Sequence, residues 1–293
     1  MRRFALVQVD VFTKNRLEGN ALAVVTDATG LTDAEMQALA KETNLSETTF
    51  VFQRDAATEK SRGVRVRIYT IAEELPFAGH PTLGTAFVLR AAGAAPEIVL
   101  DLNVGSVPVR YEETPGQPSF GEMRQRDPEF GPRHDAETIA RVTGLALKDI
   151  DTSVPIESVS TGMFFTVIPI KTLAALQSLR IDLHAGSEYL RKSGGKFFYF
   201  VSRETVNPAA RLHSRMLFYN GEDPATGSAA GCAAAWMAAY GIAAPNERVL
   251  IEQGLEMKRP SELFVRADRD GGTVRNVRVG GHCVEVMRGE ITL

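Results

Sequence analysis

Apolar and polar residues alternate along many short segments of this chain, and a period of two residues predicts β-strands. In VRVRIYT at 64–70, three aliphatic residues alternate with two arginines and a tyrosine, as in a strand with one buried face. Similar segments of the first half are QVDVF, ALAVV, TTFVF, EIVLDL and VPVRY. Those of the second half are FFTVIPI, KFFYFVS, RMLFYN, RVLIEQG, ELFVRAD, TVRNVRVGG and CVEVM. Both halves are therefore predicted to be rich in strands.

Two other segments, TLGTAFVLRAAG and TGSAAGCAAAWMAAYG, are built mostly from small apolar residues and predict buried helices. From Ala225 to Tyr240 there is no charged residue, so this helix must be covered on all sides. Gly93 and Gly241 close the two segments and suit a left-handed helix end. Surface helices are expected from the capping box at 32–35 to about residue 42, and also at 134–142 and 171–179.

The starts of the two buried helices resemble each other in sequence. HPTLGTA at 80–86 aligns with DPATGSA at 223–229, an offset of 143 residues, with Pro, Gly and Ala in common. A match this short can arise by chance, but strands before and after both copies favour a duplication. The chain is therefore predicted to form two α+β domains, each a curved sheet wrapped around one central helix. The Pro-Gly-Gln-Pro segment at 115–118 is the expected linker.

Composition and charge indicate which kinds of binding partner and which cellular location to expect. The 293 residues include 44% apolar residues, 33 basic and 36 acidic ones, for a formal charge of −3. Without a basic stripe, we expect no nucleic-acid partner. The N-terminus reaches Gln8 and Asp10 before an apolar run of signal-peptide length, and the buried helix is too short to span a bilayer. With only Cys232 and Cys283, no disulfide framework can form, so a cytoplasmic location without membrane contact is expected.

The helix starts are the first candidates for chemistry. A proline in the first turn of a helix leaves the following amides free, so each start presents donors and a positive dipole end. Two such ends facing one cleft would hold a carboxylate. The alternative is a pair of ordinary capped helices, with Asp223 as the N-cap and with Thr226 and Ser228 bonded locally.

Glu47 and His80 are candidate proton-transfer groups. Glu47 lies at a strand mouth, where a carboxylate can act as a general acid or base, although an exposed Glu is common there. His80, between Gly79 and Pro81, could donate to a ligand, shuttle a proton, or only bond to the backbone. The other histidines have no metal-ligand spacing, and there is no phosphate-binding loop, so no metal, nucleotide or flavin cofactor is expected. Both cysteines are interpreted as core residues.

Four motifs together resemble the phenazine-biosynthesis PhzF-like isomerase family, which has the diaminopimelate-epimerase-like fold. They are DVFT with GNALAVV at 19–25, NLSETTFV at 44–51, ELPFAGHPTLGTAFVL at 74–89 and EDPATGSAAG at 222–231. The resemblance implies an α+β protein of two pseudo-symmetric domains, each a rolled sheet or barrel around a central helix. The domains expected are residues 1–118, with 282–293 returning to them, and residues 119–281. The active site is expected where the two helix starts converge, and a homodimer is the expected assembly.

The resemblance also implies roles for individual residues. Glu47 would be the acid/base that moves a proton between carbons of a small carboxylic acid, with no cofactor. His80 and Asp223 would complete the catalytic residues by shaping the site and hydrogen-bonding the substrate. The substrate-binding residues implied are Asn20, Ser46, Gly79, Gly227 and Ser228. Gly79 and Asp223 occupy the positions of the two cysteines of racemase relatives, so two-thiol racemisation is not expected.

Two other functions stay open at this point. One is a racemase, epimerase or hydroxyproline-type dehydratase of the same fold, and the other is a small-molecule-binding protein without turnover. The segment RMLFYNGEDP differs from the lead-in typical of phenazine-pathway members, so the substrate can differ as well.

Overall fold

The computed structural model of the chain describes residues 1–90, 95–218 and 221–293. The chain divides into two compact units. The first contains Met1–Arg124 together with Gly280–Leu293, and the second contains Gln125–Val279. The linker expected at 115–118 is an exposed turn inside the first unit. The predicted division into domains with a boundary at residue 118 stays a prediction.

The first unit consists of nine strands and three helices in its described residues. Its strands are β1 (Arg3–Val11), β2 (Asn20–Val25), β3 (Glu47–Phe52), β4 (Val64–Tyr69), β5 (Glu74–Leu75), β6 (Glu97–Leu102), β7 (Gly105–Glu112), β8 (Phe120–Arg124) and the C-terminal part of β17 (Thr273–Thr292). Its helices are α1 (Asp33–Thr43), α2 (Ala56–Arg62) and α3 (Gly79–Arg90).

Eight strands of the first unit form a closed ring around α3. Strands β1 and β2 are antiparallel, β2 and β3 parallel, β3 and β4 antiparallel, and β4 and β6 parallel. Strands β6, β7 and β8 continue antiparallel, and β17 pairs with both β8 and β1, which closes the ring. Helix α3 contacts six of these strands. Gly84 allows the close approach, because a Cβ there would come within 2.7 Å of Leu22 and Val11 side-chain carbons.

The second unit repeats this plan with different outer helices. Its strands are β9 (Glu129–His134), β10 (Ile156–Ser160), β11 (Phe164–Ile170), β12 (Phe197–Ser202), β13 (Ala210–Phe218), β14 (Gly221–Asp223), β15 (Val249–Gln253), β16 (Ser261–Asp270) and the first part of β17. Its helices are α4 (Ala136–Thr143), α5 (Leu173–Gln177), α6 (Leu183–Ser193) and α7 (Gly227–Ala239), with 3₁₀ turns at Leu147–Asp149 and Leu255–Met257.

The sheet of the second unit surrounds α7. Its strands pair in the order β9, β10, β11, β12, β13, β15, β16, and β14 pairs with β13. Every residue of α7 from Gly227 to Ala238 is buried, and the helix contacts β10, β11 and β16. Alanine and glycine keep this helix thin enough for strands to approach it closely. The predicted α+β fold, with a sheet wrapped around a central helix in each unit, is confirmed.

Some elements differ from the sequence prediction. TVRNVRVGG and CVEVM form the single strand β17, whose residues Cys283 to Thr292 pair with β1 from Val11 back to Arg3. Helices α2 and α6 and strands β5, β8, β9, β10 and β14 were not predicted. The expected helix end at Gly93 and the end of RMLFYN at 219–220 lie outside the described residues. In the part of the chain that is described, no helix has the length and apolar character needed to cross a membrane.

Candidate functional site

The first unit brings Glu47, His80 and Asn20 together. Glu47 begins β3, Asn20 begins β2, and His80 is the second residue of α3. All three are buried, with 9% of Glu47, 2% of His80 and 1% of Asn20 exposed. The His80 Nε2 atom lies 3.5 Å from Glu47 Oε2, and its Nδ1 atom lies 3.1 Å from the amide nitrogen of Asn20. A carboxylate, an imidazole and an amide therefore form one buried polar cluster.

Strand register places these side chains side by side. Asn20 pairs with Val11 across β1 and β2, and Leu22 pairs with Glu47 across the parallel β2 and β3. The starts of β2 and β3 therefore lie at the same edge of the sheet, where α3 also begins. Gly19 precedes Asn20 with a φ of +66°, and a Cβ there would lie 2.7 Å from a Thr13 side-chain carbon. The turn that delivers Asn20 therefore requires glycine.

Burial controls the protonation of His80. Removing the ring from water disfavours its charged form and lowers the pKa of His80 to about 3. The imidazole is therefore neutral at physiological pH. It can donate through one nitrogen and accept through the other.

Ser46 and Gly79 flank this cluster along the chain. Ser46 is partly buried and directly precedes Glu47, and Gly79 is the buried first residue of α3. The first amides of a helix have no partner within the helix, and they lie at the positive end of its dipole. At this end of α3, the amide and hydroxyl groups of Thr82 both donate to the Ala78 carbonyl oxygen, at 3.3 and 2.7 Å. These two bonds fix the backbone that leads into the helix.

In the second unit, Asp223 belongs to a buried network at the start of α7. The Thr226 hydroxyl donates to Asp223 Oδ2 at 2.5 Å. Gln253 Nε2 donates to the Asp223 carbonyl oxygen and to Thr226 Oγ1, while Gln253 Oε1 accepts from the Thr226 amide. Asp223 is 5% exposed and Gln253 is fully buried. Gln253, at the end of β15, therefore fixes the backbone on which Asp223 is carried, a role that its sequence context did not signal.

The N-cap of α7 is Thr226, so the alternative in which Asp223 caps the helix is wrong. The Asp223 side chain instead accepts from the cap residue itself. Gly227 and Ser228 are the buried first residues of the helix. The Gly227 carbonyl oxygen accepts from Gln125 Nε2 at 3.0 Å. These contacts make the start of α7 a rigid polar site within an otherwise apolar core.

The aligned sequences at the two helix starts adopt different backbones. His80 and Pro81 are already helical in α3, whereas the aligned Asp223 and Pro224 precede the cap of α7. The expectation of a proline in the first helical turn is therefore correct for α3 and wrong for α7. Ahead of α7, Gln253 bonds the carbonyl oxygen of residue 223 and the amide of residue 226.

His213 forms a second polar cluster in this unit. Its two ring nitrogens lie 2.7 Å from Glu252 and 2.9 Å from Glu256 carboxylate oxygens. Burial alone would lower the pKa of His213, but the hydrogen bonds to Glu256 and Glu252 outweigh it and raise this pKa. Glu252 also accepts from the amides of Val206 and Asn207. The cluster joins β13, β15 and a 3₁₀ turn, which is a structural role.

The two cysteines are core residues, as predicted. Cys232 and Cys283 are both buried. Burial raises the pKa of the Cys232 thiol to about 12 and also raises the pKa of the Cys283 thiol. Neither thiol is therefore poised as a base. Among the described residues, no group of three or more His, Cys, Asp or Glu side chains is arranged to hold a metal ion.

The predicted site residues fall into two groups. Asn20, Ser46, Glu47, Gly79 and His80 lie in the first unit, at the start of α3. Asp223, Gly227 and Ser228 lie in the second unit, at the start of α7. Within each unit the residues predicted from the motifs are neighbours. That both groups serve one substrate stays a prediction.

Comparison with known proteins identifies the relatives of this chain. Residues 9–289 match a model of the phenazine biosynthesis-like protein family, PhzC-PhzF. An uncharacterized isomerase of Mesorhizobium japonicum is 39% identical over 297 residues, which cover 96% of each chain. The trans-2,3-dihydro-3-hydroxyanthranilate isomerase of Pseudomonas chlororaphis is 33% identical over 290 residues, covering 98% of this chain and 99% of that one.

A solved structure shares the whole fold. The crystal structure of a PhzF-family phenazine biosynthesis protein from Bacillus anthracis matches with a TM-score of 0.88 and 26% sequence identity. The match covers 100% of both chains. The architecture described above is therefore that of known PhzF-family proteins over its full length.

Proposed function

Because this chain belongs to the phenazine biosynthesis-like protein family and is an isomerase, we propose that it moves a proton between two carbons of a small cyclic or unsaturated carboxylic acid. Glu47 is the proposed general base and general acid. Its carboxylate takes the proton from one carbon, and the electron pair of that C–H bond forms a new double bond. The π electrons of the old double bond move to the second carbon, where they take the proton back from the protonated Glu47. Atoms and electrons balance without a cofactor.

The buried carboxylate beside a neutral imidazole is the observation that supports this proposal most directly. A single buried carboxylate is suited to both steps, because its ionised form accepts a proton and its protonated form donates one. His80 is neutral there, so it supplies a hydrogen bond without a fixed positive charge. Polar groups already in place where charge develops are a main source of rate enhancement.

Substrate binding is assigned to the remaining predicted residues. We assign hydrogen bonds to the substrate to His80 and Asp223, with Asn20 and Ser46 shaping the site. Backbone amides at Gly79, Gly227 and Ser228 are assigned to the substrate carboxylate, because amides at helix starts attract anions. A homodimer is proposed by the same family resemblance.

The name of a relative supports the proposed substrate class. The Pseudomonas chlororaphis protein is named an isomerase of trans-2,3-dihydro-3-hydroxyanthranilate, which is a cyclic, unsaturated carboxylic acid. At 33% identity that compound is the first to assay, and other cyclic unsaturated acids form the rest of the panel. Turnover is followed by proton NMR in D₂O, which records both the product and any exchange of carbon-bound hydrogen.

Glu47→Gln tests the proposed chemistry. The amide keeps the size of the side chain but cannot take a proton, so turnover should fall by about 10²–10⁴-fold while the fold is kept. Glu42→Gln, at an exposed position of α1, is the matched control and should keep full rate. A Glu47→Gln protein with near-normal turnover would remove Glu47 from the mechanism.

The same NMR measurement separates the other two functions. Exchange at the α-carbon that is blocked by thiol reagents would favour a racemase or dehydratase. Binding of an acid without exchange or turnover would favour a protein that binds small molecules only. Either result contradicts the proposed isomerisation.

A further inference from the structure

The contact between Asn20 and His80 gives Asn20 a role of its own. We propose that Asn20 is a positioning residue that fixes His80 as the tautomer with its proton on Nε2, so that the ring directs a donor toward the Glu47 carboxylate. The assignment of the tautomer rests on the contacts of the ring alone. The effect of the tautomer on the reaction rate rests on the proposed function. The predicted role of Asn20 in substrate binding stays a prediction beside this role through His80.

The contact with Asn20 determines the protonation of Nδ1, one of the two ring nitrogens of His80. The amide nitrogen of Asn20 lies 3.1 Å from His80 Nδ1, within the range of an N–H···N hydrogen bond. An amide NH₂ group donates and does not accept. Nδ1 must therefore be the accepting nitrogen, and in a neutral imidazole the single proton is then on Nε2.

The Glu47 side requires the same tautomer. Glu47 Oε2 lies 3.5 Å from His80 Nε2, and an ionised carboxylate only accepts hydrogen bonds. A proton on Nε2 directs a donor at that oxygen, whereas a bare Nε2 would place two acceptors opposite each other. The two neighbours of the ring thus agree, although they come from different strands.

The Nε2–H group is also available to a ligand. At 3.5 Å its contact with Glu47 is longer than an ordinary hydrogen bond, and Nε2 is buried with no closer acceptor among the described residues. Buried N–H groups in native proteins nearly always have an acceptor, which is a protein group, an ordered water or a bound molecule. A substrate oxygen beside Glu47 would fill this place.

The ring has little freedom to escape this arrangement. Asn20 is held by its pairing with Val11 and by the glycine turn before it. His80 is held in the first turn of α3. Burial keeps the ring neutral, with the pKa of His80 lowered to about 3. In this arrangement His80 is a neutral ring with its donor in a fixed direction.

Histidine nitrogen NMR tests the tautomer directly. The chain has five histidines, and a two-bond ¹H–¹⁵N correlation spectrum distinguishes protonated from bare ring nitrogens in each. The His80 signals are identified by their loss in His80→Gln. The expected wild-type spectrum at neutral pH has a bare Nδ1 and a protonated Nε2 for His80. A protonated Nδ1 in the wild-type protein would overturn the proposal without any need for a variant at position 20.

Asn20→Asp supplies the causal test. A carboxylate at this position only accepts, so the proton is expected to move to Nδ1, and the His80 pattern changes accordingly. Asn207→Asp is the matched control, because Asn207 Oδ1 accepts from the Ala209 amide and an aspartate can do the same. An unchanged His80 pattern in a folded Asn20→Asp protein would contradict the proposal.

Activity is read separately. Loss of one well-placed donor costs about 10²–10³-fold in kcat, so Asn20→Asp should lose about that much turnover of the substrate found above. A changed tautomer with unchanged kcat would refute the positioning role in catalysis. If Glu47→Gln keeps its rate, the proposed function is contradicted. The proposed tautomer of His80 is tested by the NMR data alone and is not affected by that result.

Discussion

At the scale of single residues, burial makes stability depend on pH through His80. In the unfolded chain this imidazole has its ordinary pKa of 6.5, whereas in the folded unit burial lowers the pKa to about 3. Between these two values the unfolded state binds a proton that the folded state does not. Stability contributed at His80 is therefore complete above about pH 6.5 and is lost as the pH falls toward 3.

His80→Gln should remove this pH dependence. The free energy of unfolding of the wild-type protein is expected to fall with decreasing pH more steeply than that of the variant. The difference in slope should be at most about 1.4 kcal/mol per pH unit between pH 6.5 and 4. Urea unfolding at a series of pH values measures it. His184→Gln, at an exposed position of α6, controls for the loss of a histidine, and equal slopes in wild type and His80→Gln would contradict the prediction.

Single residues also mark how far the sequence could be interpreted. Glu47 and His80 were found because their motifs carry residue types suited to proton transfer. The contact of His80 with Asn20 was not predictable, because it depends on how the start of α3 packs against the start of β2, 60 positions earlier in the chain. Gln253 gave no signal either, because a glutamine at the end of an apolar strand acquires its role only when the strand meets the start of α7.

At the scale of elements, Gly231 allows α7 to pass Gln125. A Cβ at Gly231 would overlap the Gln125 side-chain oxygen. That side chain is in turn fixed, because it donates to the Gly227 carbonyl oxygen and accepts from the Thr161 hydroxyl at 2.6 Å. The glycine therefore preserves a polar contact at the start of the buried helix.

The effect of Gly231→Ala on the free energy of unfolding is expected to have opposite signs in the wild-type chain and in a Gln125→Ala chain. In the wild-type chain the added methyl group displaces Gln125 and should destabilise the protein by about 1–3 kcal/mol. In a Gln125→Ala background the obstacle is gone, and alanine should stabilise the helix over glycine by up to about 1 kcal/mol. Denaturant unfolding of the four proteins of this cycle measures the coupling. An equal cost in both backgrounds would show that Gln125 is not the obstacle.

Elements with a strong pattern were predictable and elements without one were not. The capping box at Thr32 and Glu35 correctly predicted α1. Helix α2 has no buried residue, so its sequence carries no apolar period to detect. Helix α6 did carry signals, since Asp182 caps its start and Gly194, with a φ of +79°, ends it. Strand β9, largely exposed and containing Gly131 and Pro132, is a strand only because it pairs with β10.

At the scale of the whole molecule, the C-terminal strand completes the first unit. Strand β17 pairs with β1 on one side and β8 on the other, so it closes a ring whose other strands all precede residue 125. The ladder with β1 runs to the ends of the chain, where the Arg2 amide donates to the Leu293 carbonyl oxygen and the Leu293 amide to that of Arg2. The two termini are therefore neighbours in the first unit.

Neighbouring termini predict that the chain tolerates circular permutation. A permutant with Leu293 joined to Met1 by a short Gly/Ser linker, and opened between Pro115 and Gly116, keeps every strand intact because residues 112–118 are exposed. It should fold with a loss of no more than about 1–2 kcal/mol, since only one turn is cut and one short loop is closed.

The control permutant uses the same linker but is opened between Thr49 and Phe50. These residues are fully buried in β3, which pairs with β2 and β4, so the cut places charged termini in the ring and should abolish cooperative unfolding. Circular dichroism melting curves compare both proteins with the natural chain. If the permutant opened at Pro115 melts without cooperativity, or the one opened in β3 melts like the natural chain, the prediction that neighbouring termini allow permutation outside the strands is contradicted.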